Sequence, residues 1–124
     1  MDSRNLHIAF QRAVTSVAWD RHGENEYVSV CRDGPVEIEL LQALIDRTFV
    51  QDELVISLGR HDHLVVPRSR AAQAVAERVP SHTAATISDE ELSVFLQVLA
   101  VGVARTGRAQ ANYSLKRTNQ SLRD

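Results

Sequence analysis

The chain of 124 residues is short of several residue types, and each shortage excludes something. Cys31 is the only cysteine. It cannot close a disulfide within the chain, and a zinc site built on several thiolates is excluded. A reducing compartment is the matching expectation. Thirteen of the fourteen basic residues are Arg, leaving Lys116 as the lone lysine. With abundant Ala and Val, that composition points to a GC-rich bacterial genome. Aromatic residues make up 5% of the chain, so Val, Leu, Ile and Ala must build most of the core. No hydrophobic run is long: the most apolar stretch, Leu92 to Ala104, is interrupted by Ser93 and Gln97 and is too short to span a bilayer. The opening residues MDSRNLHIAFQRAV contain neither an apolar h-region nor a small-residue cleavage site, so no signal peptide is predicted. A cytoplasmic protein without membrane association is expected. The five glycines are scattered, so no phosphate-binding loop appears, and no serine sits in a Gly-x-Ser-x-Gly setting.

What is present is ordinary for a soluble domain: 44% hydrophobic and 24% charged residues. The length suits one domain, with enough buried surface to fold without disulfides or a structural metal. The formal charge is −2 and is unevenly spread. Residues 105–124 hold five basic side chains against Asp124, which leaves the rest of the chain at −6. An acidic body disfavours nucleic acid, whose phosphates need a positive surface. The tail, with Tyr113 among Arg108, Lys116 and Arg117, is the one segment where such contact is conceivable, although a solubilising terminus accounts for it more simply.

Hydrophobic periodicity predicts an α+β domain over residues 1–107 and a polar, basic, partly disordered tail over 108–124. Residues 4–13 fit a short helix, while Leu6, Ile8 and Phe10 alternate equally well as a strand. Residues 15–32 read as a β-hairpin around Arg21-His22-Gly23-Glu24-Asn25. Val36, Leu40, Leu41, Leu44 and Ile45 line one face of a helix over about 35–48, with Pro35 in its first turn. ELVISL and HLVVP form a second hairpin around Gly59. Ser69 opens a helix to about Val79, and Ser88 with Glu91 reads as a capping box for a last helix to about Arg105. The result is a small antiparallel sheet of two hairpins with helices packed on one face.

Few residues suggest chemistry. His61 and His63 flank Asp62 and would share one face of a strand, the geometry of a two-imidazole metal clamp, but no obvious third ligand accompanies them. The plainer reading is a solvated polar turn. Cys31 precedes Arg32, which could activate it, yet a lone thiol in a strand is more often an inert core residue. Paired carboxylates at Glu24/Glu26, Glu37/Glu39, Asp52/Glu53 and Asp89/Glu90/Glu91 are explained by turns and helix starts. No cofactor is implied. Residues 1–53 carry ten acidic side chains against five Arg, and an acidic surface can steer a basic protein partner. The reading that follows is a non-enzymatic protein-binding domain of immunity or antitoxin type, with Glu24, Glu26, Tyr27, Glu37 and Glu39 as contact residues and Trp19 as a further anchor. The alternative is a metal-binding domain or metal-assisted enzyme built on His61 and His63.

Residues 110–124 offer few apolar groups to offset the entropy of ordering. Deleting them is expected to move the thermal midpoint by no more than about 4 °C, as read by calorimetry.

Overall fold

A computed structural model describes residues 3–21, 25–31, 36–59, 62–78, 84–99 and 101–109. Its elements are α1 (Ser3–Thr15), β1 (Val17–Trp19), β2 (Val28–Ser29), α2 (Ile38–Thr48), β3 (Glu53–Gly59), β4 (Asp62–Pro67), a 3-10 turn (Arg68–Arg70), α3 (Ala71–Arg78), β5 (Ala84–Ser88), β6 (Val94–Leu99) and β7 (Val103–Ala109). The fold is α+β. The strands form one antiparallel sheet in the order β1-β7-β6-β5-β3-β4, with β2 also paired to β7. No helix among the described residues is long and apolar enough to cross a membrane.

Alternation along the strands divides the sheet's neighbours into two layers. Leu54, Ile56 and Leu58 of β3, Ala85 and Ile87 of β5, and Leu96 and Val98 of β6 pack with Leu41, Leu44 and Ile45 of α2 and Ala71, Ala72 and Val75 of α3. The intervening Val55 and Phe95 belong to a second cluster with Phe10 and Ala13 of α1. The helices are therefore shared between the two faces, which corrects the expectation that all of them pack on one face. Phe10 meets Phe95 edge-on, with ring centroids 5.7 Å apart and planes at 87°, the arrangement favoured by the ring quadrupoles. All three phenylalanines, Phe10, Phe49 and Phe95, are fully buried and supplement the aliphatic core.

Helix α2, the β3–β4 hairpin and the helix after Pro67 lie where hydrophobic spacing places them, and residues 4–13, which fitted helix and strand equally, lie in helix α1. Two further expectations are corrected. The segment expected as a helix from Ser88 to Arg105 is a hairpin of β6 and β7. Its apolar residues satisfy both periods, because a strand buried on both faces is nearly continuously hydrophobic. Gly102 separates the two readings. It would weaken a helix interior, whereas at φ 97° it closes the β6–β7 turn and donates its N–H to Leu99 O at 2.9 Å. The strands of the 15–32 segment also do not pair with each other. Val17–Trp19 lies against Gly107–Ala109 and Val28–Ser29 against Val103–Ala104. The seven-residue β7 offers more ladder than either short strand could offer the other, and the two form one interrupted edge.

Gly107 marks the closest approach of β1 to β7. A Cβ there would stand 2.5 Å from Ala18 O and 2.7 Å from Val17 Cγ1. Gly107→Ala is expected to cost about 1–3 kcal/mol in chemical denaturation, by the cost of overpacking. Hydrogen exchange should rise first at Val17–Trp19.

Candidate functional site

The expected contact residues are dispersed. Glu24 lies outside the described residues. Glu26 is half-buried and accepts a hydrogen bond from Arg105 Nη1 at 2.9 Å, with Arg21 Nη1 3.8 Å away. Arg105 also donates its Nε–H to Gln97 Oε1 at 3.0 Å and lies over the Trp19 ring at 3.9 Å and the Tyr27 ring at 5.2 Å. Glu26, Tyr27 and Trp19 thus gather around Arg105 of β7. Glu37 is half-buried just before α2, donating its N–H to Val30 O at 2.7 Å, and Glu39 is exposed in the first turn.

His61 lies outside the described residues, so the proposed clamp cannot be assembled from described side chains. His63 is half-buried on β4, with its ring 6.0 Å from that of Phe10 and tilted by 56°. Among the described residues no group of three or more His, Cys, Asp or Glu is placed to hold a metal ion. Cys31 is half-buried at an isolated bridge to Val36, with Ser29 Oγ 3.7 Å from its sulfur.

The fold brings together two other acidic groups that sequence reading left as isolated turns. A cleft of about 330 Å³ is lined by Gln51, Asp52, Glu53, Asp89, Glu90 and Glu91. Its first wall is the start of β3. Phe49 is buried at the end of α2, the chain turns outward at Val50, and Arg68 donates its N–H to Asp52 O at 2.7 Å. Its second wall is the β5–β6 turn. Because β3 pairs with β5 up to Val55↔Ser88, the residues before Val55 and those after Ser88 lie at the same end of the two strands. Asp52, Glu53, Glu90 and Glu91 are exposed, and among the described residues no basic side chain lines the cleft.

Asp89 differs from its neighbours. It is 1% exposed and organises the turn. Its carboxylate accepts hydrogen bonds from Ser93 N at 2.8 Å, Ser93 Oγ at 2.6 Å, Val94 N at 3.2 Å and Ser88 Oγ at 3.2 Å. These donors compensate the burial of the charge. Leu92 takes the left-handed φ of 56°, uncommon for a branched side chain, and is 2% exposed in the cluster with Phe10. One end of the turn is pinned by Asp89 and the other by Leu92, and Glu90 and Glu91 between them face solvent.

A cleft lined by one sign of charge between low-dielectric walls concentrates the field and attracts ammonium or guanidinium groups. The sequence held the carboxylates in view, but only the pairing of β5 with β3 unites them. Comparison with protein-family models, curated proteins and solved structures finds no match for this chain.

Asp89→Ala leaves the Ser93 and Val94 amides without their acceptor and is expected to cost about 2–4 kcal/mol, as measured by chemical denaturation. Asp89→Asn keeps one acceptor oxygen and should recover a substantial part of the loss.

Proposed function

We propose that this chain is a non-enzymatic protein-binding domain that receives a basic segment of a partner protein in the cleft of residues 51–53 and 89–91. In the finer version it is a cytoplasmic inhibitor of immunity or antitoxin type, which acts by covering its partner. One observation carries the reading: Asp52, Glu53, Glu90 and Glu91 are exposed around one cleft that, among the described residues, no basic side chain lines. The same charge repels nucleic-acid phosphates. Lys or Arg side chains entering the cleft would gain charge-assisted hydrogen bonds, with Arg suited to bidentate contact. The acidic residues expected as contacts in the N-terminal half, Glu26, Glu37 and Glu39 among them, do not line this cleft.

The test is affinity capture followed by kinetics on the purified pair. Reversing Asp52, Glu53, Glu90 and Glu91 to Lys should slow association by about tenfold or more at low salt and abolish most of its salt dependence. Reversal of Glu39, exposed but outside the cleft, should have a smaller effect. An association rate indifferent both to salt and to the fourfold reversal would overturn the reading.

A further inference from the structure

We infer that the free edge of β4 is an interface to a second copy of this chain, which joins two sheets across a dyad at Val65. Among the described residues, strand β4 ends the sheet order and pairs only with β3. Natural edges are blunted by charge, proline or bulges, because an exposed edge is a template for another strand. The centre of β4, Leu64-Val65-Val66, carries none of these, and Val65 is 56% exposed. Pro67 stands at the strand's end, and the irregularity of this hairpin lies on β3 between Ser57 and Gly59.

The backbone directions follow from one hydrogen bond. Arg68 donates its N–H to Asp52 O on the β3 side. Backbone groups alternate in direction along a strand, so Val66 and Leu64 also face β3. Val65 turns both its N–H and its C=O outward. Two identical antiparallel strands related by a dyad must place the axis on a residue pair that is directly opposed. With the axis on Val65, each Val65 exchanges two hydrogen bonds with its counterpart, and Leu64 faces Val66 of the second copy.

The layer beneath the edge fits the same axis. A groove of about 230 Å³ runs between β4 and the outer side of the following helical segment, lined among others by Leu64, Val66, Arg70, Gln73, Ala74 and Glu77. Helix α3 touches both β3 and β4. Strands lie about 4.8 Å apart, so an axis lying between β3 and β4 places the two copies of α3 about 10 Å apart, an ordinary helix-packing distance. Antiparallel copies that meet around Gln73 and Ala74 bring Arg70 of each beside Glu77 of the other. This charge complementarity selects a second copy as the occupant, because the opposed charges both come from one chain. Glu77 has only weak partners within its own chain: Gln73 Nε2 donates to it at 3.2 Å, and Arg78 lies 3.8 Å away. No residue of the acidic cleft takes part, so this inference stands or falls separately from the proposed function.

The test is sedimentation equilibrium of the full chain over a roughly hundredfold dilution range. The wild-type protein should form a two-chain species that dissociates on dilution. Val65→Pro deletes an outward N–H and leaves the β3–β4 ladder intact, so it should give a folded monomer. Glu77→Arg should weaken the dimer by about tenfold, because the dyad repeats each lost pair. Adding Arg70→Glu to Glu77→Arg should restore it. Should Val65→Pro fail to fold, Val65→Lys at the same exposed position gives the same reading. A wild-type protein that is monomeric throughout, a dimer indifferent to both single changes, or a charge swap that fails to rescue would each overturn the inference.

Discussion

Phe95 and Leu96 are neighbours in the chain and belong to different cores. Phe95 packs with Phe10 of α1, and Leu96 with the layer of α2 and α3. This two-sided burial of β6, repeated in β3 by Val55 and Ile56, holds α1 on one side of the sheet and α2 with α3 on the other. A one-residue slip in either strand would exchange the two layers, so register is specified from both faces at once. The acidic cleft depends on that register, since the start of β3 and the β5–β6 turn meet at one end of the sheet while Val55 opposes Ser88.

The elements whose hydrophobic residues follow a single period were legible in the sequence. In α2, Leu41, Leu44 and Ile45 are buried and Glu39 and Asp46 exposed, as amphipathic spacing requires. The β3–β4 hairpin, although β3 is also buried on both faces, was legible from its β-rich runs around a polar turn. Residues 88–105 were not, because burial on both faces erases the alternation that marks a strand, and Leu92, Phe95, Leu96 and Leu99 mimic a helical stripe. Gly102 was the available signal, since it belongs more naturally to a turn than to a helix interior.

The site was less legible than the fold for the same reason. Once the last segment is taken as a helix, Ser88 and Glu91 look like a cap, and Asp89 and Glu90 become first-turn charges. As strands, β5 and β6 turn that cluster into the wall of a cleft, and Asp89 becomes the acceptor that shapes it. The Glu26–Arg105 pair spans 79 positions and links elements that only the sheet order brings together. Nothing local in the sequence distinguishes a carboxylate held by a distant arginine from one left open to solvent.

The two edges of the sheet are unequal. The β1/β2 edge is broken into three-residue and two-residue pieces. An incoming strand would find no continuous ladder there. With that edge interrupted, pairing at β4 consumes the one long edge template among the described residues. Assembly through β4 would therefore terminate at two copies, where a sheet with two open edges could propagate without limit into a fibre.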